Sequence, residues 1–276
     1  MVKPQDRYLV VNDLGLHYLD WGTEGQQAML LLHGFTTLAH AWDFFAPTFQ
    51  ERYHVLALDH RGHGESQWSE NATYTAEDHL VDIAGFVDAL NLEKFVLVGH
   101  SMGGRNAIMY TGCFPDSVAC LILVDSRPDN DPAASEALKQ LLINIPEEIG
   151  SIDEIAQKLV QLYPYLSLEM SRHLASHGLR EMAEGKFCPK YDLRMREQSQ
   201  RAGYGVSDLW LFFEQITCPT LIIRGEESPI LSREVAHRMC QVNPGAQLVE
   251  IEGATHMPPQ ENPAAFEEAV RQFLER

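Results

Sequence analysis

The chain lacks several features that mark whole classes of protein. Its 276 residues contain no run of 18 apolar residues, so we expect no transmembrane helix. Residues 1–10 are polar and mixed, without the apolar centre of a signal peptide. Basic residues are in the minority. The net charge of −18 and the pI near 5.0 argue against nucleic acid or an anionic membrane as a partner.

Cysteine-based and nucleotide-binding motifs are also missing. The five cysteines are an odd number and show no metal-type spacing, so we expect free thiols in a reducing, cytoplasmic setting. Neither Gly-x-x-x-x-Gly-Lys nor Gly-x-Gly-x-x-Gly occurs, which argues against a nucleotide cofactor. His60 and His63 lack the further ligands that zinc needs. We therefore expect chemistry that uses no cofactor and no metal ion.

Apolar runs that alternate with helical patterns occupy most of the chain. Strands are predicted at residues 7–11, 17–21, 29–32, 55–58, 95–98, 120–124, 220–223 and 247–251. The later runs are rich in Val, Ile and Leu, as expected of strands buried on both faces. Thr75 with Asp78 predicts the start of one helix, and Asn262 with Pro263 predicts the start of the last. The alternation predicts an α/β fold with a doubly wound, mostly parallel sheet of eight strands.

One segment, residues 127–209, interrupts the alternation and is hereafter the insertion. It contains helical patterns, one of which starts at Ser151 and Glu154, and no convincing strand. We interpret it as a helical cap inserted after the sixth strand, with residues 1–126 and 210–276 forming the core domain. Its scattered aromatic and methionine side chains either line a substrate pocket or pack the cap onto the sheet.

The stretch Gly99-His100-Ser101-Met102-Gly103 is the strongest functional signal. It lies between the predicted strand at 95–98 and a helical pattern at 102–113. A serine in such a tight turn needs small neighbours two positions away, and Gly99 and Gly103 meet that need. The turn lifts the Ser101 hydroxyl off the sheet, and the first N–H groups of the helix point at whatever the hydroxyl attacks.

Three further blocks accompany this elbow along the chain. They are His33-Gly34-Phe35, the block from Asp59 to Ser66, and Gly253-Ala254-Thr255-His256. With these four blocks the chain resembles the capped α/β-hydrolases over nearly its whole length. The resemblance implies that His33 and His100 shape the site. It also implies that Asp59 binds backbone groups and that Arg61 pairs with a carboxylate.

Ser101 is the candidate nucleophile, and it needs a base within hydrogen-bond reach. His256 is the candidate base, because it lies on a loop that follows the last apolar strand. The backbone N–H of Met102 directly follows the serine and is one expected oxyanion donor. The resemblance implies the N–H of Phe35 as the second donor.

The chain departs from the common family pattern at the acid of the expected triad. Most relatives carry an aspartate in a Gly-x-x-Asp setting after the seventh strand, where this chain has Ser228. The acid is then either Asp125, at the carboxyl end of the sixth strand, or one of Glu226 and Glu227. Some branches of the family place the acid after the sixth strand, and we favour Asp125.

A serine nucleophile forms an acyl-enzyme, unlike the aspartate of the epoxide hydrolases and haloalkane dehalogenases. We expect a small-molecule acyl substrate with a carboxylic ester bond, which makes the protein an esterase or a lactonase. One alternative is an amide or carbon–carbon hydrolase with the same triad. Carbon–carbon hydrolases usually carry asparagine where this chain has His100. Another alternative is a slow-turnover ligand receptor on a hydrolase scaffold.

A charged substrate is a further alternative. Arg105, Asn106 and the segment Arg224-Gly225-Glu226 resemble the acylaminomethylenesuccinate hydrolases, which cleave a dicarboxylate. Cations of the insertion either clamp such carboxylates or form a solvated face. These cations are Arg127, Arg172, Arg180, Lys186, Lys190, Arg194 and Arg196. A homodimer is compatible with the sequence, which leaves the oligomeric state open.

Overall fold

The computed structural model describes residues 3–23, 25–129, 146–195 and 208–276. Its strands are β1 (Gln5–Val11), β2 (Leu14–Asp20), β3 (Ala28–Leu32), β4 (His54–Leu58), β5 (Phe95–His100), β6 (Val118–Val124), β7 (Leu179–Glu181), β8 (Phe187–Pro189), β9 (Thr220–Gly225) and β10 (Ala246–Ile251). Eight of them form one sheet in the order β1-β2-β4-β3-β5-β6-β9-β10. The pairs β1–β2 and β2–β4 are antiparallel and the other neighbours are parallel. The predicted eight-stranded, mostly parallel sheet is confirmed.

Helices cover both faces of this sheet. They are α1 (Ala46–Phe49), α2 (Ala76–Ala89), α3 (Met102–Cys113), α4 (Ile152–Leu162), α5 (Leu168–Gly178), α6 (Trp210–Phe213), α7 (Arg233–Val242), α8 (Pro258–Glu261) and α9 (Pro263–Leu274), with 3₁₀ turns at Ala39–Trp42, Pro115–Ser117 and Ala183–Gly185. The predicted helix starts are confirmed. Thr75 and Asp78 form a reciprocal capping box at α2. The side chain of Asn262 caps α9, which has proline at its first position.

The central strands are buried on both faces, which explains their continuous apolar runs. In β3, Leu30 and Leu32 join an apolar cluster with residues of α2 and α3. The alternate residues Met29 and Leu31 join a second cluster with residues of α1 and α9. Side chains alternate between the faces of a strand, so a fully apolar strand serves two cores at once. Each such buried side chain stabilises the fold by about 1.5–3 kcal/mol.

The insertion contains more than helices, which corrects the expectation that it has no strand. The strands β7 and β8 pair as an antiparallel hairpin outside the main sheet. Each has three residues, Leu-Arg-Glu and Phe-Cys-Pro, and neither shows the β-branched alternation by which a strand is read from sequence. Residues 130–145 and 196–207 of the insertion, including Arg196, lie outside the described residues. The boundaries of the cap stay a prediction.

The insertion packs against the core through an apolar cluster and through backbone contacts. Leu166, Met170 and Leu174 of the insertion form one buried cluster with Ala41 and Met257 of the core. These side chains therefore pack the insertion onto the core, as one of the two interpretations expected. No helix in the described ranges is long and apolar enough to cross a membrane.

Candidate active site

Ser101 lies at a strained turn between β5 and α3. Its backbone has φ 51° and ψ −114°, a left-handed conformation that non-glycine residues rarely adopt. The turn is held by the Ser101 N–H, which donates to the carbonyl of Val124 at 3.0 Å. The Ser101 carbonyl accepts from the N–H of Arg105, also at 3.0 Å. Strand, turn and helix thus hold the serine in the elbow that the sequence predicts.

Small residues are required around this elbow because backbone segments pass close by. A Cβ on Gly99 would lie 2.5 Å from the carbonyl oxygen of Gly103. A Cβ on Gly103 would lie 2.4 Å from the carbonyl oxygen of Leu32. Both distances are far below van der Waals contact, and both involve backbone that cannot rotate away. The expected need for glycine on both sides of Ser101 is confirmed.

His256 and Asp125 complete a hydrogen-bonded line with Ser101. His256 Nε2 is 2.9 Å from Ser101 Oγ, and its Nδ1 is 2.6 Å from Asp125 Oδ2. The three residues come from loops after β10, β6 and β5, which lie in the same half of the sheet. Because the carboxyl ends of parallel strands meet at one edge, side chains far apart in sequence converge there.

The loop that carries His256 is held by two polar side chains. His100 donates from Nε2 to the His256 carbonyl at 2.7 Å. Burial, together with the neighbouring His256, lowers the pKa of His100 to about 3, so its ring is neutral. The carboxylate of Glu261 accepts from the N–H of Thr255 at 2.8 Å and from that of Met257 at 3.0 Å. The backbone on both sides of the imidazole is therefore anchored.

Asp125 is fully buried and has its own hydrogen-bond donors. Its Oδ1 accepts from the Gly225 N–H at 3.3 Å, and its Oδ2 accepts from the Ser228 hydroxyl at 2.6 Å. Ser228 Oγ in turn accepts from the N–H groups of Ile230 and Leu231, each at 3.0 Å. With those two donors on the oxygen, the hydroxyl hydrogen is directed at Asp125.

Ser228 is a residue whose role the sequence did not reveal. It occupies the place where most relatives carry the acid, and here its hydroxyl donates to Asp125, which directly follows the neighbouring strand β6. The available signal was the combination of a serine at that place with an aspartate directly after β6.

Glu226 and Glu227, the alternative acids, lie elsewhere. Both side chains are exposed, and Glu227 Oε1 accepts a hydrogen bond from the Tyr165 hydroxyl at 2.5 Å. Their backbone N–H groups bind the carbonyls of Ile251 and Ala254, which leaves the carboxylates outside the site. Within the described residues, neither carboxylate is hydrogen-bonded to His256.

The loop after β3 lies beside the elbow. His33 donates from Nδ1 to the Gly34 carbonyl at 2.7 Å, and its Nε2 accepts from the N–H of His60 at 3.0 Å. Burial lowers the pKa of His33 well below its usual value, which keeps the ring in this single-proton form. The backbone N–H groups of Phe35 and Met102 donate no hydrogen bond to any residue that the structure describes.

The block that follows β4 is structural, as the resemblance implied. Asp59 accepts from the N–H groups of Ala39 at 2.6 Å and Glu65 at 2.9 Å, which ties its turn to the loop beside the elbow. The pKa of Asp59 is lowered although burial alone would raise it, because His17 and these donors favour the carboxylate. Arg61 pairs with Asp82 through two of its nitrogens.

Residues 27–263 match the family model described as alpha/beta hydrolase fold. The chain belongs to this family. Its sequence is 28% identical over 247 residues to 2-(acetamidomethylene)succinate hydrolase of Mesorhizobium japonicum, covering 90% of this chain and 87% of that protein. It is 27% identical over 279 residues to the 3-hydroxybutyrate-oligomer hydrolase of Cupriavidus necator, covering 95% of each. The crystal structure of E-2-(acetamidomethylene)succinate hydrolase superimposes with a TM-score of 0.90 at 26% identity, covering 99% and 100% of the two chains.

The cations of the insertion in this hydrolase are engaged with neighbouring carboxylates. Arg172 pairs with Asp153 at 2.7 Å, and Lys190 pairs with Glu65 at 2.7 Å. The other pairs are Arg127–Asp129, Lys158–Glu154, Arg180–Glu65, Lys186–Glu148 and Arg194–Asp192. Every lysine and arginine described between residues 127 and 195 therefore has a carboxylate partner. These cations are thus engaged within the protein, and none of those described is without a carboxylate partner.

Proposed function

We propose that this hydrolase cleaves carboxylic ester bonds through an acyl-enzyme on Ser101. The observation that carries the proposal is the continuous hydrogen-bonded line from the Ser101 hydroxyl through both nitrogens of His256 to the buried carboxylate of Asp125. This is the arrangement that activates a hydroxyl at neutral pH, and it is recognised by geometry and not by chain order.

In the first step, Ser101 Oγ attacks the carbonyl carbon of the ester while its proton passes to His256 Nε2. Asp125 fixes the proton on Nδ1, so that Nε2 offers its lone pair to the serine, and it stabilises the imidazolium that forms. The 2.6 Å distance between Asp125 Oδ2 and His256 Nδ1 suits this role. The tetrahedral intermediate then expels the alcohol, which takes the proton back from Nε2.

The negative oxygen of the intermediate needs donors that are in place beforehand. The N–H groups of Phe35 and Met102 are candidates, since neither donates to another described residue and Met102 opens helix α3. One such donor contributes about 3–4 kcal/mol of transition-state stabilisation. In the second half-reaction, His256 removes a proton from water, which attacks the acyl carbon. The bond to Ser101 Oγ then breaks, Oγ takes the proton back from His256 Nε2, and the acid is released.

Two observations support the proposed ester substrate over the dicarboxylate substrate that the sequence left open. The described cations of the insertion are already ion-paired, so they leave no evident clamp for two carboxylates. The relative from Cupriavidus necator is named for 3-hydroxybutyrate oligomers, whose units are joined by ester bonds.

The insertion packs at Met257, next to His256, which supports its role as a cap that limits the access of water and bulky substrates.

Amide hydrolysis is the second candidate, and the structural similarity to the acetamidomethylenesuccinate hydrolase favours it. The same residues serve both reactions, because an amide differs only in the leaving group that His256 must protonate. Because the same residues serve both reactions, only the relative turnover of esters and amides distinguishes the two proposals.

The first experiment measures the intact mass of the protein after incubation with a fluorophosphonate. We expect one adduct on the wild-type chain and on Ser176→Ala, a variant at an exposed serine of α5, and none on Ser101→Ala. Labelling of Ser101→Ala, or no labelling of the wild type, would overturn the proposed nucleophile.

The second experiment compares steady-state turnover of matched p-nitrophenyl esters, γ-lactones, p-nitroanilides and an N-acyl enamide dicarboxylate. Multiple turnovers of the esters or lactones with the highest kcat/KM support the proposal. A preference for the anilide or enamide supports the second candidate. Stoichiometric labelling of Ser101 without turnover of any of them supports a ligand receptor instead.

A further inference from the structure

Four side chains of metal-binding type meet where helix α5 of the insertion touches the core. His40 and Asp43 lie in and just after the 3₁₀ turn Ala39–Trp42, and His173 and His177 lie on α5. His173 and His177 are one helical turn apart and therefore share a face of the helix. The rings of His40 and His177 are stacked with their centroids 3.7 Å apart.

The ligand atoms are close enough to surround a single ion. One atom from each of His40, Asp43 and His177 lies within 4.8 Å of the other two. Around a zinc ion with bonds of about 2.0–2.1 Å, ligand atoms lie about 3.4 Å apart, so binding requires side-chain rotations that unstack the two rings. His40 Nδ1 is already 2.8 Å from Asp43 Oδ2.

The hydrogen bonding of these side chains also suits a metal ion. The ring nitrogens of His177 form no hydrogen bond to any described residue, although the side chain is half-buried. His173 Nε2 donates to the His40 carbonyl at 3.2 Å and also lies 3.2 Å from the same Asp43 oxygen, the kind of outer contact that orients metal ligands.

We propose that His40, Asp43 and His177 form a binding site for a divalent transition-metal ion of the Zn²⁺ type, with His173 positioning Asp43. Two imidazoles and one carboxylate are the donor set that such ions prefer, and water fills the fourth position. The half-buried position of the three ligands gives the ion a path of entry.

The ion would link the insertion to the core beside the candidate active site. Helix α5 also carries Met170 and Leu174, which pack against Met257, the residue after His256. A metal that joins His177 on this helix to His40 and Asp43 on the core therefore restrains the insertion close to the histidine loop. The site needs no participation of Ser101 or His256 and is independent of the proposed function.

Calorimetric titration with ZnCl₂ tests the site on the full chain. We expect one equivalent to bind to the wild type, and binding at least about 100-fold weaker in His177→Gln and in Asp43→Asn. His173→Gln, which removes only the outer contact, is expected to weaken binding about 10-fold or more. His237→Gln is the matched control, because His237 is exposed on α7 and lies outside the cluster.

Three companion measurements keep the result unambiguous. The melting temperature is expected to rise with Zn²⁺ in the wild type and in His237→Gln, and to stay unchanged in His177→Gln. The far-ultraviolet circular dichroism of each variant reports whether it is folded, and His40→Gln replaces any variant that is not. The Co²⁺ form is expected to show the ligand-field bands of a nitrogen–oxygen site without a thiolate charge-transfer band.

Three outcomes would overturn the proposal. The first is the absence of saturable binding to the wild type. The second is wild-type affinity in folded His177→Gln and Asp43→Asn. The third is a Co²⁺ spectrum with a thiolate band, since it assigns binding to the free cysteines instead.

Discussion

The substitution Asp125→Asn distinguishes the two acids that the sequence left open. In the wild type, Asp125 Oδ1 accepts from the Gly225 N–H, and Oδ2 accepts from the Ser228 hydroxyl and from His256 Nδ1. In the variant, the amide oxygen stays on the Gly225 N–H and the amide NH₂ faces His256. An NH₂ group donates, so the imidazole must keep Nδ1 unprotonated and carry its proton on Nε2.

That tautomer cannot accept the proton of Ser101. The same change in the aspartate of a serine-protease triad lowers kcat by about 10⁴-fold, which corresponds to about 5.4 kcal/mol in activation free energy. We expect a loss of that order here, with KM little changed, because the substitution leaves the shape of the site intact. The other orientation of the amide points NH₂ at the backbone N–H of Gly225 and leaves that donor without an acceptor. The flipped orientation is therefore unfavourable and does not restore the wild-type tautomer.

The assay is the pre-steady-state burst and steady-state kcat on a p-nitrophenyl ester, at a pH where the wild type is fully active. Glu226→Gln and Glu227→Gln are the matched controls, and both are expected to retain wild-type kcat because their side chains are exposed and form no described hydrogen bond to His256. A folded Asp125→Asn variant that keeps kcat within about tenfold of wild type refutes the assignment. A collapse of kcat in Glu226→Gln or Glu227→Gln transfers the role of the acid to that residue.

Three further predictions concern Ser228, the buried histidines and Gly99. Ser228→Ala removes a hydrogen bond to a carboxylate and should lower the free energy of unfolding by about 1.5–3 kcal/mol, measured by urea titration, and kcat by about tenfold; unchanged values in both would contradict a positioning role. Burial lowers the pKa of His63 to about 4 and, together with His256, that of His100 to about 3. As the pH falls from about 7 to about 5, the unfolded chain therefore binds protons that the folded chain does not, and each ring should lower the free energy of unfolding by about 2 kcal/mol. In His100→Gln, the slope of the unfolding free energy against pH, measured by urea titration, should decrease by about one proton. An unaltered slope would argue against a neutral, buried His100. Gly99→Ala places a Cβ 2.5 Å from a backbone oxygen and should abolish fluorophosphonate labelling of the folded chain, whereas full labelling would show that the elbow tolerates a side chain there.

Local sequence was sufficient for the strands, for the helix starts and for the elbow. Each depends on neighbours within a few residues: the continuous apolar run of β3, the Thr75–Asp78 capping box, and the glycines that flank Ser101. The hairpin β7–β8 escaped prediction because its short strands carry no apolar alternation, and they pair only in the context of the insertion.

The sequence by itself determined the family, the mostly parallel sheet and the candidate serine and histidine, because turns, caps and burial are encoded by nearby residues. Only the tertiary structure showed that Asp125, and neither glutamate, is hydrogen-bonded to His256 among the described residues. Strand order places β6 beside β9, and this brings the Ser228 hydroxyl to an aspartate 103 positions away. The contact between His40 and His173 spans 133 positions and was equally invisible to local patterns. Contacts of that range depend on which strand ends and helices become neighbours, and no short stretch of sequence specifies that.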